Sequence, residues 1–236
     1  MLIMEDIIFI PGLGESEKTY THQLSHLSDL GKLSVFTYDE YDTTDAIRDA
    51  LLAGCAAKTT LVGHSMGGYI AQKCAIQKPE LIDNLILINT WATRTPEFVE
   101  RNEAALQALD SVGLEAVIRH ETPLLFHPSR SDLVEPTVQE LLKKTTDIYR
   151  GHFKALRDAE DLQASLPKIT AKTLVIHGRQ DPLFTLDQHQ LMATLIAAGS
   201  LAIIEDAGHC CPTERPQSVT SLIRYFLNYH GGIHAL

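Results

Sequence analysis

Six short apolar bursts, separated by longer stretches of helical period, constrain this chain more than any other feature. They are IIFI (7–10), SVFTY (34–38), TLVG (60–63), LILIN (85–89), TLVIHG (173–178) and SLAIIE (200–205). Each is nearly continuous in apolar, β-branched character, which is how a strand covered on both faces of a parallel sheet reads. Helix-like segments at 19–30, 43–54, 67–77, 187–198 and 215–229 lie between or after them. This alternation predicts an α/β fold: a doubly wound, mostly parallel sheet of about six strands with right-handed crossovers. A short edge at residues 1–4 would precede it.

The rhythm breaks once. From Trp91 to Lys168 no strand-like burst occurs, and helical candidates fall near 96–110, 113–121, 132–147 and 150–160, punctuated by Pro96, Pro123, Pro128 and Pro136. A connection of that length must carry structure of its own. The expected organisation is a core of residues 1–90 and 169–236, with a helical cap at 91–168 inserted between two strands. The alternative is extra helices packed elsewhere.

Composition excludes several classes of partner. The formal charge is −10, from 30 acidic and 20 basic residues, with no basic cluster. Nucleic-acid binding rests on a positive footprint, so no nucleic-acid partner is expected. No apolar run approaches the roughly 18 residues of a membrane span. The start, MLIMEDIIFIPG, lacks a basic leading region and a small-residue cleavage site, and reads as a strand. The four cysteines, Cys55, Cys74, Cys210 and Cys211, form no spaced framework. Reduced thiols and a cytoplasmic location are the expectation.

The segment TLVGHSMGGYIAQKCA carries the strongest chemical signal. Gly63-His64-Ser65-Met66-Gly67 satisfies G-x-S-x-G, with a strand burst before it and a helical stretch after it. A serine at such a turn is held in a strained backbone that lifts its Oγ clear of the sheet, and the flanking glycines make room for the turn. A serine hydroxyl is a weak nucleophile that needs a base, and the base needs an acid to orient it. TLVIHGRQDPLFT offers Asp181 just past a strand, and SLAIIEDAGHCCPTERP offers His209 on the loop after the next. The order Ser, Asp, His along the chain is that of the α/β-hydrolase triad.

On these motifs the chain resembles the α/β-hydrolases of the compact, capped serine-esterase kind, which includes carboxylesterases, lactonases and thioesterases. The resemblance runs the length of the chain: an oxyanion loop after the first strand, the elbow, a helical cap, the acid loop and the histidine loop. It implies Ser65 as nucleophile, His209 as general base, and Asp181 as the carboxylate that fixes the His209 tautomer. The backbone N–H groups of Leu13 and Met66 would form the oxyanion hole. The family's usual His-Gly-x is Pro11-Gly12-Leu13 here, which alters the loop's support without removing the expected donors.

The implied reaction is hydrolysis of small, mainly apolar carboxylic esters through an acyl-enzyme, with water as second substrate. No cofactor and no metal are implied. Activity is expected to fall at acid pH as an imidazole base protonates. Thioester, enol-lactone and carbon–carbon bond hydrolysis use the same triad and stay open. So does a ligand receptor on this fold with vestigial catalysis. Oligomeric state is not legible.

Leu13, Met66, Trp91, Phe126 and Phe184 are expected to form an apolar wall near Ser65. Of the 11 histidines, His22, His26, His189, His230 and His234 read as surface positions and His177 as a satisfied core residue. His64 reads as packed beside the elbow, while His120, His127 and His152 fall in the cap, within possible reach of substrate. Glu97, Glu100, Arg101 and Glu103 read as a solvated helix face. His209-Cys210-Cys211 lacks the spacing of a metal site, because side chains of consecutive residues diverge. The two thiols read as packing behind the histidine loop, and Asp206 as shaping its turn.

Overall fold

The computed structural model describes residues 6–55 and 58–229. The postulated edge at residues 1–4, together with His230 and His234, lies outside them. Among the described residues, six strands form one sheet: β1 (Asp6–Ile10), β2 (Lys32–Val35), β3 (Thr59–His64), β4 (Ile82–Ile88), β5 (Lys172–Gly178) and β6 (Gly199–Ile204). Their order is β2-β1-β3-β4-β5-β6, and every pairing is parallel. The doubly wound parallel sheet is therefore as expected. After β2 the chain returns across β1 to form β3, so winding reverses beside β1, where crevices open at the carboxyl ends of strands.

Continuous apolar strands are explained by cover on both faces. Ile8, Ile10, Leu61, Leu85, Leu87 and Val175 face one layer, made with α2 (Thr44–Gly54), α3 (Met66–Gln77) and α8 (Leu186–Leu195). The alternate residues Ile7, Phe9, Val62, Ile86, Ile88 and Ile176 face the other, where α1 (Thr21–His26) packs with the C-terminal helix Pro216–Tyr229. The period of two along each strand thus feeds two cores, each buried from water.

Between β4 and β5 come α4 (Pro96–Ser111), α5 (Leu114–Leu125), α6 (Val134–Leu141) and α7 (Thr146–Arg157). Leu109, Val117, Ile118, Val138 and Tyr149, one or two from each helix, bury a small core of their own. The helix expected at 132–147 ends early, at Leu141, and the one expected at 150–160 begins at Thr146. Thr145 sets that start, because its hydroxyl accepts from Ile148 N–H. The helix expected at 19–30 is likewise shortened, to a 3-10 turn at Glu17–Tyr20 followed by α1. The second strand sits slightly earlier than SVFTY suggested. Tyr38 leaves the sheet, and its hydroxyl donates to Pro11 O at 2.7 Å. Among the described residues, no helix is long and apolar enough to cross a membrane.

Candidate active site

β3 runs straight into the elbow. Ser65 has φ 51° and ψ −120°, a conformation unusual for a residue with a side chain. Hydrogen bonds surround it: Ser65 N–H donates to Ile88 O at 3.0 Å, and Thr90 Oγ1 donates to Ser65 O at 2.7 Å. The glycines are required by close approach. A Cβ on Gly67 would collide with the carbonyl oxygens of Ile10 and Pro11, and one on Gly63 with Gly67 O. Ser65 makes no side-chain cap bond to α3, so its Oγ is available to a partner.

That partner is His209. Its Nε2 lies 3.0 Å from Ser65 Oγ, and its Nδ1 lies 3.0 Å from Asp181 Oδ2 and 3.2 Å from Oδ1. A carboxylate only accepts, so Nδ1 carries the proton and the Nε2 lone pair faces the serine hydroxyl. Burial pushes the Asp181 carboxyl's pKa up, but the His209 ring and the Leu183 N–H (2.8 Å from Oδ1) outweigh this and hold it below the usual value. The structure thus brings together Ser65, Asp181 and His209 from the ends of three strands.

Residues not singled out in the sequence hold this arrangement. Asn89, just after β4, donates from Nδ2 to Gly208 O (2.9 Å) and His209 O (2.8 Å), and its Oδ1 accepts from Gly178 N–H at 2.8 Å. One side chain thereby joins the acid loop to the histidine loop. Glu214 Oε2 accepts from Gly208 N–H at 3.1 Å and from His127 N–H at 2.8 Å, while His209 N–H donates to Leu125 O at 2.7 Å. Asn89 was legible only as the polar end of LILIN, and its φ of 42° is the signal a sequence hides.

Leu13 sits in the turn after β1, half-buried and packed against the core. Among the described residues, neither Leu13 N–H nor Met66 N–H has an intramolecular acceptor, whereas Gly12 N–H is taken by Glu15 Oε2 at 2.6 Å. Met66 opens α3, where backbone donors and the helix dipole favour negative charge.

The aromatic residues divide. Phe184 faces the site, its ring centroid 5.7 Å from that of His209. Trp91 lies behind it, sandwiched between Tyr69 at 4.9 Å and Phe184 at 5.2 Å. Phe98 completes the cluster at 4.9 Å from Trp91. Phe126 is buried, and its main chain abuts Gly208; it belongs to the strap beside the histidine loop rather than to the Trp91 cluster. A cleft beside this cluster is lined by Thr95, Phe98, Arg101, Leu183, Phe184 and Gln188. Arg101 is therefore more than part of a solvated helix face, although it is exposed.

The other histidines sort as follows. His189 is not on the surface: it is wholly buried, with Nδ1–H donating to Thr185 O at 2.9 Å and Nε2 accepting from Thr90 N–H at 3.2 Å. Burial holds its pKa down at about 4, so the ring is neutral. His177, its ring tilted against that of His189 at 4.4 Å, is buried as expected, but its Nδ1 has no hydrogen-bond partner among the described residues. His120 is exposed beside Glu121, His127 is half-buried, and His152 is buried against Tyr38 at 5.0 Å. Cys210 and Cys211 are free thiols, buried, with pKa values pushed up by burial. His64 is buried beside the elbow.

A six-stranded parallel sheet with a strained serine between β3 and α3 defines the α/β-hydrolase class. This chain belongs to the alpha/beta hydrolase fold family, which it matches over residues 10–216, and it is a hydrolase. It is similar to the Yersinia enterocolitica protein named "Putative carbamate hydrolase RutD", with 26% identity over 96% of this chain and 88% of that one. It is also similar to 3-oxoadipate enol-lactonase 2 of Acinetobacter baylyi, with 31% identity over 68% of this chain and 60% of that one. Among solved structures, a thermophilic esterase from Thermogutta terrifontis superposes with a TM-score of 0.84 at 24% identity, covering 94% of this chain and 89% of that one. At that identity the likeness is one of fold.

Proposed function

We propose that the chain hydrolyses small, mainly apolar carboxylic esters through a seryl acyl-enzyme. The observation that carries this reading is the continuous chain of contacts from Asp181 through His209 to Ser65 Oγ at 3.0 Å. In the first half-reaction Ser65 Oγ attacks the ester carbonyl carbon as His209 Nε2 takes the hydroxyl proton. The Leu13 and Met66 N–H groups receive the oxyanion that forms. Collapse expels the alkoxide, which takes the proton from His209. Water then attacks the acyl-enzyme with His209 again as base, releasing the acid and restoring Ser65. Asp181 stays ionised throughout and stabilises the imidazolium.

In this reading residues 91–168 act as a cap over the serine, and the Phe98–Phe184 edge of the aromatic cluster receives the acyl group. A lactone in place of an open ester is a second reading. It is favoured by the 31% identity with an enol-lactonase and by Arg101 in the cleft, which suits a substrate carboxylate. Hydrolysis of p-nitrophenyl esters from acetate to octanoate by wild type and Ser65→Ala tests the proposal. Wild-type turnover should exceed that of the variant by at least about 10³-fold. Equal rates would sink it. Covalent labelling of Ser65 by a fluorophosphonate separates an enzyme from a ligand receptor.

A further inference from the structure

We infer that Glu15 and His64 form a second charged pair beneath the triad, a positioning device that locks the oxyanion loop to the histidine loop. The inference rests on the triad reading given above, because it assigns the pair a role in that reaction.

Hydrogen-bond accounting fixes the protons. His64 is 1% exposed, with Nδ1 3.0 Å from Glu15 Oε2 and Nε2 2.9 Å from His209 O. A carbonyl oxygen only accepts, so Nε2 must carry a hydrogen. Glu15 Oε2 already accepts from Gly12 N–H at 2.6 Å, the short bond of an ionised carboxylate. The hydrogen between Oε2 and Nδ1 therefore belongs to the ring. His64 is an imidazolium, and Glu15 is its carboxylate.

The surroundings keep the proton there. Burial opposes the charge on each partner, yet each outweighs that effect on the other: His64 is raised and Glu15 lowered. The other titratable groups facing the pair come from several elements. Tyr20, Tyr38, Tyr149 and Cys210 all have pKa values pushed up by burial and are neutral at ordinary pH. The remaining carboxylate, Asp181, is engaged by His209.

The pair joins the pieces of the site that must be in register. Glu15 Oε2 takes Gly12 N–H, and Glu15 N–H closes the turn onto Gly12 O at 3.2 Å, so the Leu13 N–H is held between two fixed points. His64 directly precedes Ser65, and its Nε2–H grips the main chain of His209, whose ring centroid lies 4.9 Å away. The proposed oxyanion donor, nucleophile and base are thus tied through one ring that donates from both nitrogens. Neither Glu15 nor His64 touches the reacting atoms, so both act through others. Their loss should lower turnover more than substrate affinity.

Nitrogen-15 NMR of the histidine rings in Ser65→Ala reads the proton directly, with the His64 signals assigned by their loss in Ser65→Ala/His64→Gln. Both ring nitrogens of His64 should stay protonated from about pH 6 to 8, across the range where a free imidazole titrates. In Ser65→Ala/Glu15→Gln, a single hydrogen should remain, on Nε2. On p-nitrophenyl acetate with Ser65 present, Glu15→Gln and His64→Gln should each lower kcat roughly tenfold with KM changed less than about twofold, and the double variant should fall no further. A singly protonated His64 ring near pH 7 in Ser65→Ala overturns the inference, as does wild-type kcat in Glu15→Gln. If Glu15→Gln fails to fold, the ring measurement alone decides. Ester turnover by Ser65→Ala at the wild-type rate would instead defeat the triad reading and leave the protonation result standing.

Discussion

Replacing Asn89 separates the clamp's hydrogen bonds from its backbone conformation. Gly178 N–H has no other acceptor among the described residues once the Asn89 Oδ1 contact at 2.8 Å is gone, leaving a buried donor unsatisfied at a cost of about 1–3 kcal/mol. The two carbonyls lose less. His209 O keeps the His64 contact at 2.9 Å, and Gly208 O keeps the Cys211 thiol at 3.6 Å. Those two lost bonds add about 0.5 kcal/mol each, so Asn89→Gly should lose about 2–4 kcal/mol. Asn89→Ala must also hold a φ of 42° without the tolerance of glycine, for about 1 kcal/mol more. Urea unfolding reads both. With a slope near 3 kcal/mol/M, the glycine midpoint falls by about 1 M and the alanine midpoint by roughly a third of that again. Ester turnover should fall about tenfold in both, because the histidine loop loses its register with the acid loop. A stability for Asn89→Gly within about 0.5 kcal/mol of wild type would refute the clamp.

Three further outcomes follow from the geometry. Gly67→Ala drives a methyl into the Ile10 and Pro11 carbonyls and should destabilise by about 3 kcal/mol or more; a urea midpoint near that of wild type would contradict this. Glu15 has its pKa lowered from 4.5, so its stabilisation is complete above that value and lost as pH falls through the depressed one, while His64, raised from 6.5, contributes fully below that value and loses it as pH rises through the elevated one. The stability difference between wild type and Glu15→Gln should therefore be greatest between pH 4.5 and 6.5 and shrink on both sides, as unfolding curves across pH will show. Cys210 and Cys211 are buried with pKa values pushed up, so iodoacetamide at neutral pH should leave both unmodified by mass spectrometry and ester turnover unchanged.

Ser65, Asp181 and His209 were legible because each sits at a strand end, and strand ends show in the sequence as apolar bursts running into glycine or aspartate. The supports were not legible, because their meaning lies in partners far along the chain. Glu15 finds His64 at a separation of 49 residues and Asn89 finds His209 at 120, distances that no local pattern reports. His189 reads in the sequence as a surface position. It is buried, and its Nε2 accepts from Thr90 N–H in the turn after β4, a partner 99 residues away. The start of α7 at Thr146 rather than 150 was within reach: Thr145 followed by Asp147 is an N-terminal signal.

The strap at residues 125–127, between α5 and the 3-10 turn that leads into α6, is sewn to the loop that carries His209. Leu125 O holds His209 N–H at 2.7 Å, and Glu214 holds both Gly208 N–H and His127 N–H. In the proposed reading, cover and chemistry are thereby interlocked. Residues 125–127 cannot shift by more than a hydrogen bond's slack without either parting these three bonds or drawing His209 off Ser65. If the connection covers Ser65 as proposed, uncovering it at that edge also disarms it, and the freedom to admit a substrate has to come from the opposite side, where α4 meets the acid loop.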